Sequence, residues 1–267
     1  MSFAGSSVTS KLLVVLILTS VVMAPPIYAD DWPGIYEKTN AKYAKYQDDI
    51  KDITILQEVT VITPDREMVA DSKMMKKGIK FRMEASIENP EMPKEVGPIK
   101  TIIIHDSEDV WMISSMMGTH KIVGNEKKQY ETAGDWWAFL PQKAASVGSE
   151  KIGSYECHVV EFEEDGAGPF TKIWIDKKDL LLIQGEISFP NGKTAVMYRS
   201  DFRKVAKKWE IPYREEVTVD GELLSIVVVK SVEINTNLSD ELFDHEKVEV
   251  KGPNMEEMMK IMQEKGD

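Results

Sequence analysis

The run from Gly78 to Glu88, GIKFRMEASIE, puts Ile79, Phe81, Met83, Ala85 and Ile87 at alternate positions, with Lys80, Arg82, Glu84, Ser86 and Glu88 between them. Side chains alternate faces along a strand, so this segment is a strand with one apolar face and one charged, wet face. Similar segments follow in series. One-sided strands joined in series form a large antiparallel sheet whose apolar face must be covered.

Most of the chain reads as further strands. Ile53 to Thr63 and Glu67 to Met75 come before the run, and a loop with three prolines, Asn89 to Pro98, follows it. Lys100 to Asp106 and Asp109 to Met117 form a hairpin across a short acidic turn, His105 to Asp109. Glu150 to Glu163 is a strand with a turn or bulge at Gly153. Thr171 to Asp176 alternates Ile173 and Ile175 against Lys172 and Trp174. Leu180 to Phe189 returns through Pro190-Asn191-Gly192 into Lys193 to Lys204. Ile211 to Val219 and Leu223 to Thr236 pair across Asp220-Gly221. This gives about eleven strands, more than a flat open sheet manages without curling.

Three segments differ. Ile35, Thr39, Tyr43, Tyr46 and Ile50 recur every three or four positions, which predicts an amphipathic helix from about Pro33 to Lys51 lying on the sheet. Gly124 to Ala145 carries Tyr130, Trp136, Trp137, Phe139 and Leu140 without a clear period. It reads as short helices and loops, a lid over the core or a gate over a cavity. Beyond Gly252-Pro253, Met255, Met258, Met259 and Met262 fall on one helix face. That tail either docks on the domain or acts as a plug or partner-binding helix.

Residues 1–29 read as a secretory signal peptide. Lys11 precedes the apolar run Leu12 to Met23, Pro25 and Pro26 end it, and Ala29 offers a small residue for cleavage. The run is shorter than the ~20 residues of a membrane span. Cleavage leaves residues 30–267, with 30–251 as one domain and 252–267 as a separate tail. Loss of Lys11 takes the formal charge from −12 to −13. An acidic chain without a basic cluster in its sequence is a poor candidate for nucleic acid.

Catalytic and metal motifs are scarce. The chain has no G-x-S-x-G, H-E-x-x-H or C-x-x-C, and no phosphate-loop glycine run. None of the four histidines (His105, His120, His158 and His245) stands four residues from another. Cys157, the sole cysteine, excludes an internal disulfide. Its neighbour His158 should point to the opposite sheet face. The expectation is a protein that is not an enzyme and carries no cofactor. Methionine is in excess: thirteen of the fifteen lie beyond residue 29, and many of these fall in strands. Such adaptable side chains suit a surface that repacks around varied apolar ligands.

Several segments together resemble the LolA-like periplasmic carriers, the outer-membrane lipoprotein-sorting protein family. They are KFRME at Lys80 to Glu84, HDSEDVWMI at His105 to Ile113, VGSEKIGSYECHVVEF at Val147 to Phe162, TKIWIDKKDLLLI at Thr171 to Ile183 and VEINTNLSDELFD at Val232 to Asp244. The resemblance spans most of residues 31 to 250. It implies an unclosed, strongly curved antiparallel β-barrel with helices over its concave face, and a cavity that holds acyl chains without catalysis. The partners it implies are lipid or lipoprotein acyl chains and membrane-bound donor or acceptor proteins.

On this reading the protein is a monomeric periplasmic carrier, with Phe81, Met83, Trp111, Ile113, Ile173 and Ile175 lining the cavity or core. Two alternatives stay open. One is a sensor or protein-interaction domain on the same fold, its cavity filled by its own side chains or its tail. The other is a hydrolase that uses His105 or His158.

Overall fold

A computed structural model describes residues 31–87 and 97–250, apart from 116, 125, 126, 128, 129, 131–135, 163–169, 190 and 208. The signal segment, the proline loop and the methionine-rich tail lie outside the described residues, except for Gly97 and Pro98 of the loop.

Two helices open the chain, α1 (Trp32–Tyr43) and α2 (Tyr46–Asp49). The N-terminal strands are β1 (Asp52–Ile62), β2 (Glu67–Lys77), β3 (Lys80–Ile87), β4 (Ile99–His105), β5 (Val110–Ser114) and β6 (Gly118–Ile122). The C-terminal strands are β7 (Ser146–Ile152), β8 (Tyr155–Glu161), β9 (Lys172–Asp176), β10 (Leu182–Ser188), β11 (Thr194–Ala206), β12 (Trp209–Val219) and β13 (Glu222–Ile234). All thirteen form one antiparallel sheet in the order β6-β5-β4-β3-β2-β1-β13-β12-β11-β10-β9-β8-β7. Edge strands β6 and β7 do not pair with each other, so the sheet is unclosed. The first and last strands meet at its centre, Ile53 opposite Ile234 and Val61 opposite Ser225.

Local chemistry sets the connections. Asp220 and Gly221 both have positive φ, 51° and 83°, the backbone that a tight β12–β13 hairpin requires. Gly153 turns β7 into β8, so the expected single strand Glu150 to Glu163 is instead the second half of one strand, a turn and another strand. The expected helix to Lys51 is likewise two, broken at Ala44 and Lys45, and Tyr46 and Ile50 still pack inward. Strand β6 has no counterpart in the sequence reading. Four of its five residues are exposed, so it lacks the alternation that marks a half-buried strand.

The register assigns side chains to faces. Met74, Met83, Ile103 and Met112 stand opposite one another across β2 to β5 and share the inner face with the helices. One step along, Met75, Arg82, Ile104 and Trp111 share the outer face. That outer face departs from expectation. Half of the charged side of β3, Lys80 and Arg82, is covered by residues 238–250, while Glu84 and Ser86 border an open depression. Phe243, 1% exposed, sits among Met75, Ile104 and Ile113, with Leu242, Val248 and Val250 around it. Arg82 donates from Nη1 to the Leu242 carbonyl at 2.8 Å and from Nε to Glu84 at 2.8 Å. Lys77 and Lys80 both reach Asp240. Burial of a phenylalanine of this kind contributes about 1.5–3 kcal/mol.

Candidate apolar cleft under the helices

The inner face divides in two along α1. Over β7 to β10, Trp32 and Ile35 pack on Val147, Val160, Ile173, Ile175 and Leu182 as a filled core. Over β1, β2 and β11 to β13, the packing is incomplete. A cleft of about 290 Å³ opens there between the helices and the sheet. Its floor is largely apolar: Ile53 and Ile55 of β1, Met74 of β2, and Val227 and Val229 of β13, with Gln57 and Lys76 the polar members from β1 and β2.

An aromatic wall covers the floor. The Tyr43 ring stacks on Trp137, with centroids 4.3 Å apart and planes at 11°, and meets Trp136 edge-on at 5.3 Å. Trp136 and Trp137 lie in a single 3-10 turn, Trp136–Phe139, that carries this wall. Trp209 of β12 meets Tyr46 edge-on at 5.1 Å. Its indole donates to Asp49 Oδ2 at 2.9 Å, which ties α2 to the sheet. Burial pushes the Tyr43 phenol well above its usual pKa, against the opposing charge of Arg199, so it stays neutral. It donates to the Leu180 carbonyl at 3.0 Å, which satisfies its one polar group.

Among the described residues, five charged ones border the cleft: Lys76, Arg199, Glu210, Arg214 and Glu215. Arg199 of β11 donates from Nε to Glu215 Oε2 of β12 at 2.8 Å, across adjacent strands. The cleft therefore combines an aliphatic and aromatic wall with a charged border, of which Arg199–Glu215 is one ion pair. It offers aliphatic and aromatic contact over most of its surface.

The sequence-derived candidates scatter around this cleft. Ile173 and Ile175, both fully buried, belong to the filled core under Trp32 and Ile35. Phe81 and Met83 face inward on β3, where Met83 packs with Ile103, Val110 and Ile122, beyond the cleft. Trp111 and Ile113 are on the outer face beneath residues 238–250. None of the six borders the cleft. Its actual lining comes from α1, α2, the Trp136–Trp137 turn and central strands that are distant in sequence. Helical spacing had marked Tyr43 and Tyr46, and composition had marked the tryptophan pair. No local signal identified Arg199, Trp209 or Val229. Among the described residues, Met74 is the one methionine that borders the cleft.

The residues weighed for catalysis also fall apart. Cys157 stands opposite Asp176, and His158 opposite Ile175, so they occupy opposite faces of β8. Burial pushes the Cys157 thiol up to about 11, and the Asp176 charge adds to that, which disfavours a reactive thiolate. His105 Nδ1 lies 3.0 Å from the Ile79 carbonyl and is buried. Among the described residues no three His, Cys, Asp or Glu side chains converge as a metal site, and no helix is long and apolar enough to cross a membrane.

Solved structures share this architecture. A DUF1329-family protein from Desulfovibrio piger superposes with a TM-score of 0.61 at 12% identity, over 83% of this chain and 99% of its own. A putative outer-membrane lipoprotein-sorting protein domain from Vibrio parahaemolyticus gives 0.58 at 13% identity, over 82% and 98%. A LolA-superfamily protein from Nitrosomonas europaea gives 0.53 at 14% identity, over 83% and 100%. No protein-family model and no curated protein sequence matches the chain. The protein thus has the fold of LolA-like and lipoprotein-sorting proteins over most of its length.

Proposed function

We propose that the protein is a non-enzymatic extracytoplasmic carrier that holds acyl chains of a lipid or lipoprotein in the cleft beneath α1 and α2. The observation that carries this reading is the cleft itself, with its aliphatic floor and its aromatic wall, beside a charged border that suits a polar headgroup. The shared fold with lipoprotein-sorting proteins supports it, and so does the signal-like segment 1–29, which points to the periplasm. A carrier of this kind takes its cargo from one membrane-bound partner and delivers it to another.

Magnitudes favour a chain of modest length. The cleft is near the lower end of ligand pockets, which run from about 300 to 1,000 Å³. Each buried methylene contributes about 0.8 kcal/mol, so eight give roughly 6 kcal/mol before the cost of association is subtracted. Longer chains need the Trp136–Trp137 turn to move away from Tyr43.

A second reading draws on the same stack. Tyr43, Trp136 and Trp137 pack so closely on one another that the cleft could serve as the core of a sensor or interaction domain. Binding separates the two. A fluorescent fatty-acid analogue should bind the carrier, and extraction should release a co-purified lipid. Val229→Trp, which fills the floor, should weaken analogue binding by about tenfold or more, a change of ~1.4 kcal/mol. No bound or exchangeable lipid, together with equal dye binding by the variant, would favour the sensor reading. Removal of Gly252 to Asp267 tests whether the tail acts as a plug, through a gain in dye binding.

A further inference from the structure

The chain is acidic throughout its composition, yet five lysines gather around one shallow depression of about 450 Å³. Lys38, Lys42 and Lys45 come from α1 and the turn after it. Lys177 and Lys178 come from the turn between β9 and β10, and Ala41 and Leu180 form the bottom. Their fields converge on a third element. The His158 imidazole on β8 is held below its usual pKa by burial first, and then by the charges of Lys177 and Lys38.

Acids stand near the depression without lining it, Asp31 among them, whose charge acts on His158 against the lysines. Asp49 accepts from Lys207 and Trp209. Asp176 caps its own turn by accepting from the Asp179 amide. Asp179 lies 3.6 Å from Lys178, both exposed, and Lys42 donates to the Asp179 carbonyl. Glu37 and Asp48 remain as exposed neighbours in sequence. Asp179 offsets Lys178, but among the described residues the lining itself is five lysines with Ala41 and Leu180, so its charge is positive.

Its position is the second observation. Lys42 and Lys45 rim the depression, while their neighbours Tyr43 and Tyr46 line the cleft. Leu180 belongs to the depression, and Leu181 and Leu182 to the cleft. The basic surface and the apolar cleft thus share one border, sealed by the Tyr43–Leu180 hydrogen bond.

We infer that this lysine-lined face docks the protein on the anionic surface of a lipid bilayer, with the cleft border against the headgroups. Five ammonium groups on flexible stems suit a fluid array of headgroups, whereas a fixed acidic epitope is better matched by the planar fork of arginine. Tyr46, partly exposed next to Lys45, is of a type that favours the membrane–water boundary, whereas Tyr43 and Trp209 are buried behind it. The overall negative charge does not prevent docking, because exposed charges more than about 8 Å away are largely screened at physiological salt. The inference concerns the face and not the cargo, so it stands or falls apart from the acyl-chain reading.

The test is co-sedimentation of the purified protein with phosphatidylcholine vesicles, with and without phosphatidylglycerol. Binding should require phosphatidylglycerol and weaken as salt rises. Each lysine at an anionic surface is worth about fivefold in affinity, so Lys38→Glu with Lys178→Glu should cost roughly 30-fold or more. Both side chains are exposed, and circular dichroism checks that the variant folds. If it does not fold, Lys38→Gln with Lys178→Gln replaces it and should still weaken binding. Equal binding to both vesicle types, or unchanged binding by a folded variant, overturns the proposal. So does retention by immobilised polyglutamate without vesicle binding, which would mark an acidic protein as the partner. The fatty-acid analogue assay, run beside it, reports on the cleft independently.

Discussion

The Trp111 indole lies flat on the His245 imidazole, with ring centroids 3.8 Å apart and planes 7° from parallel. Asp106 completes the contact. Its Oδ2 accepts from the Trp111 Nε1–H at 3.2 Å and lies 3.9 Å from His245 Nδ1. Its Oδ1 accepts from the amides of Glu108 and Asp109, both at 2.9 Å. The β4–β5 turn is thereby fastened to the segment that covers the outer face.

This fastening should loosen in acid. Burial alone would raise the Asp106 pKa, but the amides of Asp109 and Glu108, the Trp111 indole and the His245 charge outweigh it and hold the carboxyl below its usual range. A carboxylate depressed on folding stabilises the folded state above its unfolded pKa, and that contribution disappears as pH falls through the folded value. Tryptophan fluorescence and denaturation midpoints should therefore shift below about pH 4, the unperturbed range for aspartate. Asp106→Asn should flatten that dependence. An identical acid profile in the variant would remove Asp106 from the account.

Residues 238–250 should be held chiefly by Phe243. Its ring is 1% exposed among Met75, Ile104 and Ile113. Phe243→Ala should cost about 3–5 kcal/mol in urea denaturation, the usual cost of emptying a phenylalanine site. A loss under about 1 kcal/mol would mean that the segment lies on the sheet without stabilising it.

Cys157 should report global unfolding. The thiol is fully buried, and its pKa is pushed up to about 11. Iodoacetamide at neutral pH should leave the native protein unmodified and label it along a urea curve that follows circular dichroism. Rapid labelling of the native state would show that β8 opens locally.

The sequence disclosed the faces of the sheet better than what lies on them. Alternation in KFRMEASI marked β3, and Asp220-Gly221 marked the last hairpin, because period and turn chemistry are local properties. The exposed edge strand Gly118–Ile122 had no such mark. Trp111 and Ile113 carried the right alternation but the wrong side for a cleft residue. Their face follows from pairing with β4, and parity alone does not say which side the helices take. Arg82 has the parity of a solvated residue, yet Leu242, 160 positions away, lies over it. The cleft is the extreme case, since Tyr43, Trp137, Trp209 and Val229 meet only once the whole sheet is assembled.

The pairing of β1 with β13 has a consequence for synthesis. The partner of Ile53 is Ile234, so one edge of β1 stays open until nearly the whole chain has been made. An open edge is a template for wrong pairing, and contacts this distant in sequence form slowly. A fragment ending before Glu222 should aggregate, with β1 exposed, and a peptide of residues 222–250 added in trans should restore its solubility. The protein's vulnerable interval is the time before its final strand arrives.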